Sequence, residues 1–328
     1  MASFCDINYA IRPAKAVERK MMVEGFRRLE LAWPLSTYRY IGMGSVYFAD
    51  FQLFHQTLGL DDMISIERED QYKPRFEFNR PFRCVKIKYG ESSDVLAALS
   101  WEKRSLVWLD YDGKLEASVI SDLQSIVQKV VSGSVVSVSV NVEPDRPPQE
   151  MKASIIDSWR LAEFGKRIGE VFLPTGLLGG QLRGKSFGSV CWQILNSAVI
   201  EQLVKRNGRP DVRSDTIFCK QVFHFRYSDG ASMLTVGWLF YSHEDATRVE
   251  RCAMNGSIFK DDDKALQIEA PKLTPKEIRH LNSRLPDGPP VEAETIAELC
   301  ETTGITEGDI NKYAAFYRYY PQYGEVVL

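Results

Sequence analysis

Apolar residues follow two alternating rhythms along this chain. Short runs such as "YRYIG", "DMISIE", "RCVKIKYG", "SLVWLDYDG" and "SVVSVSVNV" have the β-branched and aromatic content of strands. Between them, "FADFQLFHQTLG", "SSDVLAALSW" and "ASVISDLQSIVQKVV" space their apolar residues three and four apart, as amphipathic helices do. Strand and helix in repetition predict an α/β fold: a doubly wound, mostly parallel, Rossmann-like sheet of about seven strands. Right-handed crossovers then gather the loops after each strand on one edge, where ligands of such sheets bind.

Two further runs, "TIFCKQVFHFRY" and "ASMLTVGWLFYSH", flank Ser228-Asp229-Gly230. An Asp-Gly between alternating runs is a hairpin signal, so the sheet is expected to end in an antiparallel pair. In front of the first strand, "RPAKAVERKMMVEGFRRL" opens with Pro13 at a first helical position and predicts a basic helix packed beside the sheet. The expected divisions are an N-terminal basic helical segment (1–35), a Rossmann-like domain (36–245) with a glycine-rich lid at about 145–188, and a C-terminal helical extension (246–328). Helices are expected there at roughly 274–284, 292–302 and 306–320.

Composition narrows the class. The chain has 328 residues, 44% hydrophobic and 26% charged, in the range of a soluble enzyme. No stretch approaches the ~20 apolar residues of a membrane span, and "MASFCDINYAIRPAK" lacks the apolar region of a signal peptide, so a cytoplasmic protein without a membrane partner is expected. Six scattered cysteines, with no C-x-x-C pair, signal neither a zinc site nor a disulfide framework. A net charge of −3 argues against wholesale capture of nucleic acid, although the N-terminal helix leaves room for a local basic patch.

The chemistry is expected at the strand ends. After the first strand, the turn Gly42-Met43-Gly44-Ser45 allows a close backbone approach, but position 47, where a dinucleotide turn needs a third glycine, is Tyr47. That disfavours NAD or FAD and leaves S-adenosyl-L-methionine, which has no pyrophosphate. The second strand ends in Glu67, placed to accept two ribose hydroxyls. After the third strand, Glu91 and Ser92 could edge an adenine ring. The fourth strand delivers Asp110, Tyr111 and Asp112 to the same edge, where a carboxylate could hold the methionine amino group, act as a base or bind a metal. Candidate bases are Asp110, Asp112 and His224. Arg12, Lys15 and Arg19, with Arg183 and Lys185 from the glycine-rich loop, are candidates to bind an anionic acceptor.

Two motifs are read against their literal match. "GGQLRGKS" fits the phosphate-loop pattern, but "EVFLPTGLL" before it is a poor strand and no apolar run ending in Asp follows, so it is read as a mobile basic lid. "IAELCETTGITEGDINKY" has a helix-turn-helix rhythm, yet Glu307 and Asp309 suit phosphates poorly, so a helical cap on the core is expected. Nucleic acid is an open but unindicated partner.

Together, "NYAIRPAKAVERKM", "YIGMGSVYFADFQLFHQTLG", "ISIERE", "VWLDYDG" and "FHFRYSDGASMLTVGW" resemble a bacterial O-methyltransferase family with the class I S-adenosylmethionine-dependent methyltransferase fold. The resemblance runs from Asn8 to the aromatic C-terminus "YAAFYRYYPQY". It implies a seven-stranded sheet with an antiparallel last strand, Gly42 and Gly44 as the cofactor turn, Glu67 on the ribose and Asp110 closing the methionine side. Val46 departs from it, standing where a further glycine is common. The tetrapeptide Asp110-Tyr111-Asp112-Gly113 lacks the prolines of base N-methyltransferases. A rival expectation is a catalytically idle fold serving as a scaffold subunit in a multi-gene bacterial system, with partner proteins or copies of itself.

Overall fold

The computed structural model describes residues 8, 11–208, 216–286 and 291–321. Chain order is α1 (Pro13–Arg27), β1 (Arg39–Gly42), α2 (Ala49–Leu58), β2 (Asp62–Glu67), α3 (Lys73–Asn79), β3 (Val85–Tyr89), α4 (Ser92–Ala98), β4 (Ser105–Lys114), α5 (Ala117–Lys129) and β5 (Val135–Asn141). Then come α6 (Ile156–Ile168), α7 (Gly184–Asn207), β6 (Ile217–Ser228), β7 (Ser232–Ser242), α8 (Ala246–Arg251), β8 (Leu266–Ile268), α9 (Pro275–Asn282), α10 (Ala293–Thr303) and α11 (Glu307–Phe316).

The strands form one sheet in the order β3-β2-β1-β4-β5-β7-β6-β8. The first five are parallel, whereas β7 runs antiparallel to both β5 and β6. The expected hairpin is therefore present. The sheet has eight strands where about seven are expected: β8, within the segment expected as a helical extension, pairs in parallel with Phe225–Tyr227 of β6.

Both faces of the sheet are covered, so every residue of β5 from Val135 to Val140 is buried, Ser137 and Ser139 included. Successive strand residues part to opposite sides. Tyr40, Leu106 and Trp108 join the layer with α1 and α2, while Ile41, Val107 and Leu109 join the layer with α5 and α7. Aromatic edges knit the first layer, with Phe54 4.9 Å from Tyr40 and 5.6 Å from Phe26. Segment 145–188 contributes Phe164, Ile168, Leu182 and Phe187 to the second layer. Helices α9–α11 enclose a smaller core of their own around Leu281, Leu299 and Tyr313. Tyr319 ties that unit to Glu24 of α1. The last residues of the aromatic C-terminus, from 322, and positions 287–290 lie outside the described residues.

One long-range contact fixes α1 on the sheet. Arg12 precedes the helix without capping it, and the turn residue Asp229, between β6 and β7, accepts the backbone N–H of Lys15 at 2.9 Å. Removing a side-chain cap costs about 0.5–2 kcal/mol. Asp229→Ala is accordingly expected to lower unfolding stability by about 1 kcal/mol, read as a lower urea midpoint at unchanged slope.

Candidate functional site

Between β1 and β4 the chain reverses its direction of winding, and a crevice opens at the carboxyl ends of the parallel strands. It is a cleft of about 810 Å³. Its floor is the turn after β1. Ser45 and Phe48 both hold left-handed backbone, at φ 48° and 45°, a costly conformation for side-chain-bearing residues. A Cβ on Gly44 would stand 2.5 Å from the buried Phe48 ring and 2.9 Å from Ser65 Oγ, so glycine is required there. Gly42 lies deeper, over the Tyr40 hydroxyl, while Met43, Gly44, Ser45 and Tyr47 line the cleft.

Glu67 clasps this turn. Its Oε1 accepts the Gly44 N–H at 3.1 Å and the Ser65 hydroxyl at 2.7 Å, and the residue is only 7% exposed. Burial pushes its carboxyl up to about 7, although the Ser65 and Gly44 hydrogen bonds work against that shift. Glu91 and Ser92 begin α4 on the same wall. The hydroxyls of Ser92 and Tyr111 both donate to Asp122 of α5, the latter at 2.6 Å.

On the β4 side, Asp110 and Asp112 border the cleft. Asp110 is held by Lys15, whose Nζ lies 2.6 Å from Oδ1. Arg12, Lys15 and Arg19 also border the cleft, as expected of an acceptor-facing helix edge, but Lys15 and Arg19 are buried rather than solvated. Their charges face the protein's own acids. Lys15 meets Glu18 as well as Asp110, and Arg19 lies in the field of buried Asp50, whose carboxyl is raised chiefly by desolvation. Asp50 takes the Tyr40 hydroxyl. Lys114, also on the rim, is paired with Asp145 at 2.5 Å.

Three candidates lie elsewhere. His224 is 1% exposed on β6, beyond β5 and β7 from the cleft, stacked 5.6 Å from Trp192 with Nδ1 3.1 Å from the Asp262 carbonyl. Burial lowers its pKa. Arg183 folds back on the Gly180 carbonyl at 3.2 Å, and the Lys185 carbonyl receives Arg226 at 2.6 Å; neither residue borders the cleft. The phosphate-loop spelling fails for the same local reason: a short 3-10 turn, Glu170–Phe172, precedes it instead of a strand, and Gly179 packs against the Asp157 backbone.

The sequence reading missed Glu18, Asp50 and Asp122. All three had a signal, because Glu18, Asp50 and Asp122 sit on the apolar faces of their helices, beside Met21 and Met22, Phe51 and Phe54, and Leu123 and Ile126. A further group, His55, Asp61 and Cys84, brings donor atoms within 4.8 Å of one another. There the His55 ring nitrogen is already engaged by the Leu60 carbonyl at 2.9 Å.

This strand order, with a glycine turn after β1 and a buried acid ending β2, defines a doubly wound α/β fold whose crevice lies at the carboxyl ends of its parallel strands. The chain belongs to the family described as "Putative O-methyltransferase", whose model matches residues 7–328. Solved structures with a similar fold include Trm1 from Pyrococcus horikoshii with S-adenosyl-L-methionine, at 10% identity and TM-score 0.44, covering 69% of this chain and 55% of Trm1. The O-methyltransferase TomG from Streptomyces achromogenes, in complex with SAM, is 15% identical at TM-score 0.35, covering 66% of this chain and 79% of TomG. Cofactor-bound Rv0187 from MTB is 13% identical at TM-score 0.33, covering 72% and 92%. This chain thus spans little more than half the length of Trm1. No curated protein matches the sequence. Among the described residues, no helix is long and apolar enough to cross a membrane.

Proposed function

We propose that the cleft binds S-adenosyl-L-methionine and transfers its methyl group to an oxygen of a small acceptor. The observation that carries this reading is the pairing of a side-chain-free floor at Gly44 with the buried Glu67 carboxylate beside it. The donor set suits the cofactor. A carboxylate at the end of β2 can accept a ribose diol, Glu91 and Ser92 stand on the β3 side for the base, and Asp110 stands on the β4 side for the amino-acid end.

When bound, the sulfonium supplies an electrophilic methyl carbon. The remaining work falls to the protein. Tyr227 and Met233 line the cleft and are assigned to hold the acceptor in line, which would convert the transfer into a step between positioned groups. A hydroxyl acceptor would give its proton to a carboxylate of the cleft, the cofactor sulfur leaving as a neutral thioether. Asp110 is committed to Lys15, and Asp112 is assigned that proton. Because the charges of Arg12, Lys15, Arg19, Arg68 and Lys114 all act on protein acids, the acceptor is read as neutral rather than anionic.

Calorimetric titration of the full chain with S-adenosylmethionine and S-adenosylhomocysteine tests the reading. Dissociation constants in the micromolar to submillimolar range are expected, and the absence of heat with both ligands would refute it.

A further inference from the structure

We propose that Lys15 is a positioning residue: it acts on the amino-acid end of the cofactor through Asp110, which makes α1 a working part of the cleft. The inference rests on the S-adenosylmethionine reading given above.

Lys15 is a buried cation whose surroundings are fully specified. Its side chain is 4% exposed, with Nζ 2.6 Å from Asp110 Oδ1 and 2.8 Å from Glu18 Oε2. It lies 4.2 Å from the Trp108 ring centroid and 5.5 Å from that of Tyr227. Glu18, itself fully buried, is fixed from the sheet by the Thr235 hydroxyl and by Tyr227. A continuous path therefore runs from β7 through Glu18 and Lys15 to Asp110 on β4. One helical turn later, the charge of Arg19 favours the ionised form of buried Asp50.

Stability alone does not account for such an arrangement. Taking charges out of water carries a penalty that ion pairing offsets only with good geometry, and a packed apolar side chain at the same place is often at least as stabilising. What an apolar side chain could not do is hold a carboxylate. Asp110 keeps 23% of its side chain exposed at the cleft, with Oδ1 taken by Lys15 and Oδ2 accepting no hydrogen bond among the described residues. Glu67 on β2 and Asp110 on β4 flank β1 from opposite sides, so a ribose at Glu67 sends the amino-acid chain toward Asp110. A fixed anion there is a receptor for the cofactor's α-ammonium group, and Lys15 sets its direction.

The test compares two ligands that differ in the amino-acid end. The full chain is titrated with S-adenosylhomocysteine and with adenosine, as wild type, Lys15→Met, Asp110→Asn and the double variant. Lys15→Met should weaken S-adenosylhomocysteine at least tenfold and leave adenosine within about twofold. The double variant should be no weaker than Asp110→Asn alone, because both act through one contact. Glu18→Gln leaves the ammonium in place but releases one of its anchors, and should give the same selective loss to a smaller degree; it decides the matter if Lys15→Met folds poorly. Equal losses for the two ligands, additive losses in the double variant, or wild-type affinity in Lys15→Met would each overturn the inference while leaving the cofactor reading intact. A wild type that takes up neither ligand overturns both.

Discussion

Glu67→Ala is expected to weaken S-adenosylmethionine binding roughly 10- to 150-fold, the equivalent of losing a charge-assisted contact of about 1.5–3 kcal/mol. The pH dependence of the wild type should carry the same signature. In the free protein burial holds the Glu67 carboxyl at about 7, so below that pH it is protonated and offers the ribose one acceptor fewer. Affinity should therefore climb with pH, by up to about tenfold per unit below 7, and level off above it. Proton release on binding should appear in the same range, visible as a heat that depends on the buffer. Glu67→Gln should flatten the profile. Stability moves the other way: a carboxyl raised from 4.5 to about 7 by folding favours the native state below pH 4.5, and this contribution is lost as pH rises through 7. The free Gln variant should thus resist urea better than wild type at pH 8. An affinity that is flat from pH 5.5 to 8 in the wild type would sink this account of the clasp.

What the sequence made legible is what local patterning controls. The central strands announce themselves because both faces of the sheet are covered, and Glu67 could be placed because a strand of six residues ends in it. The hairpin was readable from its turn, where Gly230 takes φ +91°. What escaped was set by distant partners. β8 is three residues among charges, and it exists as a strand because β6 offers it an edge. Lys15 reads as one more cation on a basic helix, yet its principal partner lies 95 residues away and the hydroxyl that anchors Glu18 lies 217 residues away. His224 illustrates the same limit: alternation separates it from Phe223 and Phe225, but only the packing of α7 reveals that its own face is covered by Trp192. The helix-turn-helix spelling does yield two helices about Gly304, and their buried faces, with Leu299, Ile310 and Tyr313, are occupied in the small C-terminal core.

Trp108→Ala is expected to be the most damaging single substitution in the layer that joins α1 to the sheet. The indole is 1% exposed, stacks on Phe54 at 6.2 Å, donates to Ser139 Oγ at 2.9 Å and floors the Lys15 ammonium. Large-to-small changes of this kind cost about 3–5 kcal/mol through lost transfer energy and the cavity left behind. Two consequences separate this residue from an ordinary core aromatic. Ser139 keeps a partner in Thr235 at 2.6 Å, so the polar part of the loss is small and packing dominates. Lys15, by contrast, loses the ring that accompanies it in burial, so Asp110 is held less firmly and cofactor affinity should fall together with stability. Trp108→Phe restores most of the packing and an aromatic face while giving up the indole N–H bond, and should recover all but about 1–2 kcal/mol. Urea unfolding of the three proteins, alongside S-adenosylhomocysteine titration at a denaturant-free pH 7.5, separates the two effects. A loss below about 1 kcal/mol in Trp108→Ala would mean that α1 is not seated on β4 as described, and the link from helix to cleft would go with it.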